Sequence, residues 1–357
     1  MSKILIIRFS ALGDVAMTIP VIYSLASNYP MHEIYVLSRK QFEPLFEMLP
    51  ENVHFIGADL SEKHHGVSGL NKLYSELKVE KFDYIADFHS VLRSNYLLLR
   101  FKLDGIKSAR IDKGRPEKKQ LTRKKHKLVI PLQTSFSRYQ EVLERLGFHF
   151  DLQFASLFEK NQQDRFQADT VYGKKTDVKW LGIAPFAKHK GKVYPLELQE
   201  KVISHFASDE RVKVFIFGGG VAEKNIVDTW VDKYPSLYSV VGKLNTSQEL
   251  AFMSQLDLMF SMDSANMHLA SLVNTTVVSF WGATHPYAGF LGWNQSLENT
   301  IQTDLFCRPC SIYGQIPCYR KNYECLYQIT PEQIIARISN LLFNPSETST
   351  ATSPIVI

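Results

Sequence analysis

The sequence predicts an α/β protein made of two similar halves, each a parallel sheet covered by helices on both faces. Three observations carry this. Short apolar runs alternate with stretches of helical period from Lys3 to Phe343, the pattern of strand–helix–strand units. The alternation breaks at NQQDRFQADTVYGKKTDVK, residues 161–179, and then restarts. The length, 357 residues, is long for one core and suits two domains. The expected boundaries are an N-terminal domain over 1–160, a linker over 161–179, a C-terminal domain over 180–340 and a flexible tail over 341–357, whose end is rich in Ser and Thr.

The elements follow in order. KILIIRF (Lys3 to Phe9) reads as a buried strand, and VAMTIPVIYSLASNYP as a helix that stops before Pro30. EIYVLSR is the next strand, and FDYIADFHS and KLVIPLQ are two more. LYSELKVE and SNYLLLRFKL between them read as helices. In the second half WLGIAPF is a strand, and YPLELQEKVISHFAS is a helix with Pro195 in its first turn. VKVFIFGGG is a strand, AEKNIVDTWVDKYP a helix, QELAFMSQ a short helix and LDLMFSM a strand. NMHLASLV, TTVVSFWG and TPEQIIARISNLLF complete the series as helix, strand and amphipathic helix.

Composition excludes several classes. No apolar run reaches the roughly 18 residues of a membrane span. The N-terminal apolar run breaks at Arg8, too early for a signal peptide, so a cytoplasmic protein is expected. Net charge is only +5, yet Lys107 to Lys127 holds ten Lys or Arg against Asp112 and Glu117. That segment is either a solvated loop or a landing patch for an anion: nucleic acid, a phosphorylated glycolipid or an anionic membrane face. No aromatics interleave with the charges, which disfavours base stacking, and no nucleic acid partner is expected. Cys307, Cys310, Cys318 and Cys325 could ligate a structural zinc, but with one CxxC and irregular spacing the simpler reading is free buried thiols.

Four clusters could carry chemistry. In RFSALGDVAMTIP, Ser10 to Asp14 sit where the first strand should end, and Gly13 would permit a tight turn there. Asp14 is either an N-terminal helix cap or a carboxylate able to act as general base. In APFAKHKGKVYP, Lys188, Lys190 and Lys192 precede a helix start, where a lysine can contact phosphate. In FGGGVAEKN, Glu223 either binds ribose hydroxyls or favours the helix dipole. In SMDSANMHLAS, Asp263, Ser264, Asn266 and His268 crowd one strand–helix junction where a single cap would suffice. The amides at Ser264 to Met267 would attract a diphosphate, His268 could reach the same phosphate, and Asp263 could hold sugar hydroxyls.

These residues resemble the motifs of glycosyltransferase family 9, the heptosyltransferases of lipopolysaccharide assembly. That family's basic residue, Ser-x-x-Gly-Asp and Thr-x-Pro correspond to Arg8, Ser10, Gly13, Asp14, Thr18 and Pro20. Its Lys-x-Trp-Pro corresponds to Lys192 to Pro195 with Tyr194 in place of Trp, and its Asp-Thr-Gly-x-x-His-Leu to Asp263 through Leu269 with Ser264 and Ala265. LRSNYLLLR and CRPC also fit, so the resemblance spans residues 3 to about 340.

The resemblance implies a GT-B fold, two Rossmann-like domains with parallel sheets facing a central cleft. It implies inverting transfer that needs no metal or other cofactor, with a nucleotide sugar such as ADP-heptose as donor. Asp14 would be the catalytic base. Donor and diphosphate would be held by Ser10, Gly13, Lys192, Glu223, Asp263, Ser264, Ala265, Asn266 and His268. The acceptor, a lipopolysaccharide core or related anionic glycan, would meet Arg93, Arg115, Lys118 and Lys119, in loose contact with the inner face of the cell membrane. Two other readings remain: a GT-B protein using another nucleotide sugar, such as an epimerase, or a non-catalytic sugar-nucleotide binder.

Overall fold

The computed structural model describes residues 1–158, 175 and 177–344. The expected linker lies outside these except for Lys175 and 177–179, as does the expected tail beyond Asn344. The chain forms two compact units. One comprises 1–115 with 133–157, the other 116–132 with the chain from Phe158 onward. The basic stretch after Arg115 thus belongs with the second unit, although the sequence places it inside the first domain.

The first unit is a five-stranded sheet in the order β3-β2-β1-β4-β5. Its strands are β1 (Lys3–Ile7), β2 (Glu33–Arg39), β3 (Val53–Ala58), β4 (Tyr84–Asp87) and β5 (Lys107–Arg110). Every pairing is parallel; β1 lies between β2, with Ile4 opposite Ile34, and β4, with Ile4 opposite Tyr84. A parallel sheet is covered on both faces, which is why β1 is an unbroken apolar run rather than an alternating one. Its helices are α1 (Leu12–Ala16), α2 (Ile19–Asn28), α3 (Gly66–Lys78), α4 (Leu92–Leu103) and α6 (Ser135–Glu144); α5 (Arg115–Leu121) leads into the second unit. In α3 the buried Leu70, Leu73, Tyr74 and Leu77 recur at helical spacing and cover Leu5, Ile7 and Ile85 of the sheet.

The second unit is a six-stranded parallel sheet in the order β11-β10-β9-β6-β7-β8. Its strands are β6 (Lys179–Ala184), β7 (Val212–Ile216), β8 (Leu237–Ser239), β9 (Leu258–Met262), β10 (Val277–Phe280) and β11 (Thr300–Ile301). Its helices are α7 (Leu196–Ala207), α8 (Val221–Lys233), α9 (Thr246–Met253), α10 (Ala265–Leu272), α11 (Glu324–Tyr327) and α12 (Pro331–Phe343). On one face Leu181 and Ile183 pack with Ile203 and Phe206 of α7 and Ile334 and Ile338 of α12. On the other, Trp180 meets Phe215 and Phe252 at ring distances of 5.0 and 5.7 Å. Alternate residues of one strand thus feed two cores.

Three expectations are corrected. KLVIPLQ is not a strand; Pro131 cannot donate to a ladder, and Leu132 instead donates its amide to Tyr287 O. The helix predicted from Val15 is two helices, broken where Thr18 Oγ1 donates to Val15 O just before Pro20. Gly13 lies within α1 and does not adopt positive φ, so it is not the expected turn glycine.

Both sheets reverse their winding once, between β1 and β4 in the first and between β6 and β9 in the second. The loops leaving the carboxyl ends of such strand pairs diverge and leave a crevice for ligands. The residues of interest lie in those loops.

Candidate functional site

In the first unit, Arg8 follows β1 and is nearly buried. Its guanidinium donates to Phe88 O at 2.8 Å and pairs with the Asp14 carboxylate at 2.9 Å. Asp14 also accepts the amide of Ala11 at 3.2 Å, so it closes the first turn of α1 while remaining a half-exposed carboxylate. The capping contact of Asp14 is present, and it leaves the carboxylate partly open to solvent. Tyr139 of α6 braces this corner, stacking on Phe88 at 4.7 Å and donating its hydroxyl to Asp14 O at 3.3 Å. Ser10 is half-exposed in the same loop.

The loop after β4 adds residues that the motif reading passed over. His89 is buried, and its Nδ1 accepts the Phe9 amide at 3.3 Å, which leaves the proton on Nε2. Burial first, and then the positive charges of Arg8 and Lys113, hold its pKa down to about 3, so the ring is neutral at physiological pH. Fully buried Asp87 anchors the loop by accepting the amides of His89 and Ser90 and the Ser94 hydroxyl, all at 2.8 to 2.9 Å. Desolvation pushes its pKa up against those bonds. Lys113 is pushed down, by burial first and then by Arg8 and Arg115. The signal for this loop was DFHS at the end of a strand beside the winding reversal.

In the second unit, the ammonium of Lys192 lies 3.0 Å from the carboxylate of Asp263, which is almost fully buried. The two come from the loops after β6 and β9, the pair that flanks the winding reversal. Packing sets Lys192 from both sides. Gly314, at φ +77°, lies so close that a Cβ there would meet the Lys192 stem at 2.4 Å. On the other side Gly191 O accepts the Ala283 amide at 2.7 Å.

The crowded junction now has an explanation. Asp263 serves Lys192, not the helix, and Ser264 sits at the N-cap of α10 without capping it. Ser264, Ala265 and Asn266 are half-exposed, and the residue before them, Asp263, is the one that holds the Lys192 ammonium. His268 is buried in the next turn, where its carbonyl accepts the Ser271 hydroxyl. Glu223, in the first turn of α8, accepts the amide of Gly219 at 2.8 Å across the glycine loop after β7. Tyr194, standing where the motif has Trp, is fully buried, with its ring 4.9 Å from Phe280 and its hydroxyl on Ile329 O at 2.8 Å. It has a packing role.

Arg308, between the cysteines of CRPC, was not singled out from the sequence. It is buried, and its guanidinium donates to the carbonyls of Trp281, Gly282, Thr303 and Thr284 and to the Gln302 side chain. Burial lowers its pKa to about 10, which leaves it charged at neutral pH. Gly282 O and the Ala283 amide belong to one peptide, so Arg308 reaches Gly191, the neighbour of Lys192, through a hydrogen-bonded chain.

The expected acceptor residues do not all fall in one unit. Arg93, exposed at the start of α4, and Arg115 belong to the first; Lys118 and Lys119, later in α5, belong to the second. Among the described residues no group of three or more His, Cys, Asp or Glu side chains is arranged to hold a metal. All four cysteines are free; Cys325 is buried and Cys307, Cys310 and Cys318 are half-exposed. Burial pushes the Cys325 thiol up to about 12 and raises that of Cys310 as well.

The profile of glycosyltransferase family 9 (heptosyltransferase) matches residues 70–316. A lipopolysaccharide core heptosyltransferase of Haemophilus influenzae, OpsX, is 26% identical over 296 residues, 79% of each chain. Among solved structures, a family 9 glycosyltransferase from Veillonella parvula superposes with a TM-score of 0.71 at 20% identity, covering 96% of this chain and 97% of that one. An ADP-heptose lipopolysaccharide heptosyltransferase II from E. coli gives 0.70 at 17% identity, covering 96% and 99%. At those identities the structural likeness is one of fold, the two-domain GT-B architecture. With the family profile matching more than half of its length, the chain belongs to glycosyltransferase family 9, the heptosyltransferases.

Proposed function

We propose that the chain transfers a heptose, or a similar sugar, from an ADP-sugar to a lipopolysaccharide core or related anionic glycan, with inversion and without a metal. The observation that carries this is the Lys192–Asp263 ion pair beside the uncapped start of α10. A buried carboxylate holds one ammonium, and the helix that starts just after that carboxylate has no side-chain cap on its first amides. That arrangement suits a diphosphate, and the charge that builds up on a departing diphosphate is what such groups stabilise.

In the reaction, Asp14 takes the proton of the acceptor hydroxyl as its oxygen attacks the anomeric carbon. The new glycosidic C–O bond forms as the bond from that carbon to the diphosphate breaks, and ADP leaves with the electron pair. Arg8 keeps the Asp14 carboxylate oriented. Lys192 and the amides of Ser264 to Asn266 receive the developing negative charge. Asp263 positions Lys192 and offers its second oxygen to the donor sugar, and Glu223 is placed to take ribose hydroxyls. His89, neutral with Nε2–H free to donate, would bind the acceptor without competing as a second base. Arg93, Arg115, Lys118 and Lys119 would meet acceptor phosphates, and the lipid acceptor would bring the chain to the inner face of the membrane.

The test is a transfer assay with ADP-heptose and lipopolysaccharide core acceptors of defined length. The expected product carries the sugar with inverted anomeric configuration, at a rate unchanged by chelator. Retained configuration, or a donor sugar altered in the absence of acceptor, contradicts the reading.

A further inference from the structure

We propose that the segment 116–132 and the loop Leu305–Tyr323 form one surface that lies on an anionic lipid bilayer. This rests on the reading that the acceptor is held in a membrane, and it names the part of the protein that would touch it.

The two segments are packed together within the second unit. Lys127 donates to Pro309 O at 2.9 Å, and the Lys124 ammonium sits 4.8 Å from the Tyr319 ring centroid. The Lys118 ammonium lies 4.6 Å from the ring of Phe290, which in turn lies 5.6 Å from Tyr313. Arg320 lies over Phe306 at 5.4 Å.

Two properties of this surface coincide. First, its cations far outnumber its carboxylates: Glu117 is the one acid in 116–132 and 305–323 has none, while Arg123, Lys124, Lys125, Arg320 and Lys321 are exposed. At its margin Glu324 pairs with Arg320 at 2.7 Å. Second, it exposes large apolar side chains among those cations. Phe306 is 73% exposed, Ile316 49%, Leu128 46% and Tyr319 43%.

A site for a soluble polyanion needs the cations alone and gains nothing from a Phe held out in water. A bilayer surface uses both. Anionic headgroups attract the Lys and Arg side chains, and Phe, Tyr, Ile and Leu enter the boundary between headgroup and acyl chain. The charge complementarity and the apolar side chains therefore point to the same occupant.

The experiment is sedimentation of the full chain with vesicles of phosphatidylcholine alone and of phosphatidylcholine mixed with phosphatidylglycerol. It compares wild type with Phe306→Ser/Ile316→Ser and with Arg123→Gln/Lys124→Gln/Lys125→Gln, and ADP binding is measured in parallel as a check of folding. Wild type should sediment with the mixed vesicles and not with the neutral ones. At about 1 kcal/mol per basic residue near an anionic surface, or roughly fivefold each, the triple variant should partition on the order of 100-fold less. The apolar variant should lose about tenfold, in line with the partial burial of about two methylene equivalents. Two results overturn the proposal. One is a wild-type chain that binds ADP but neither vesicle. The other is binding that heparin abolishes and that the apolar variant leaves unchanged, which marks a soluble-polyanion site. Loss of ADP binding or of transfer by wild type would instead contradict the proposed function and leave the vesicle result to stand by itself.

Discussion

Asp14 is held by two contacts that do different things: the Ala11 amide fixes one turn of helix, and Arg8 fixes the direction of the carboxylate. Asp14→Asn keeps the size and the capping oxygen but cannot take a proton. Turnover should fall about 10²- to 10⁴-fold, the usual worth of a general base, with ADP affinity little changed. Near-normal turnover would remove Asp14 from the mechanism. Glu249, in the first turn of α9, makes a separate case. Burial alone raises its pKa from 4.5 to about 7. A carboxyl raised on folding binds more protons in the native state than in the unfolded one between those values. Its contribution is therefore present below pH 4.5 and lost as pH rises through about 7. Glu249→Gln should raise the urea midpoint at pH 8, and the gain should vanish by pH 4.5. An equal gain at both pH values would show that the effect is not ionisation.

At the scale of elements, the Lys192 loop is held by packing that leaves no room for a methyl group. Gly314→Ala puts a Cβ at 2.4 and 2.7 Å from the Lys192 stem, on a backbone at φ +77° that disfavours any side chain. The backbone conflict should cost about 1 kcal/mol of stability. The displaced ammonium should weaken ADP binding about tenfold or more, as the loss of a charge-assisted hydrogen bond does. Titration of the variant with ADP checks this; unaltered affinity would mean that Lys192 does not need that wall.

What could be read in the sequence also divides by element. β1, β6 and β9 were legible because central parallel strands are apolar on both faces, as in LGIA and LMFSM. β5, with the sequence KSAR, and β3 were not, because edge strands are only partly covered and carry no long apolar run to find. KLVIPLQ has the composition of a strand, but Pro131 within it cannot donate to a ladder. The site was legible where its residues crowd together, as at Asp263 to His268. It was not at His89, Lys113 or Arg308, whose surroundings come from chain segments distant in sequence.

Over the whole molecule, one winding scheme is used twice, and each unit carries its own charged set at the reversal point: Arg8 and Asp14 in the first, Lys192 and Asp263 in the second. The charge surplus is also divided unevenly, with the acid-free basic stretch from Lys118 grouped with the second unit.

The central claim is that Lys192, set by Asp263, receives the diphosphate of an adenine nucleotide. Calorimetric titration of wild type and Lys192→Ala with ADP, UDP and GDP tests it most directly. The account predicts selective ADP binding by wild type and a loss of about 10- to 100-fold in Lys192→Ala, the worth of one charged hydrogen bond. ADP affinity that survives the substitution would contradict the placement of the leaving group. Preference for UDP or GDP would contradict the proposed donor.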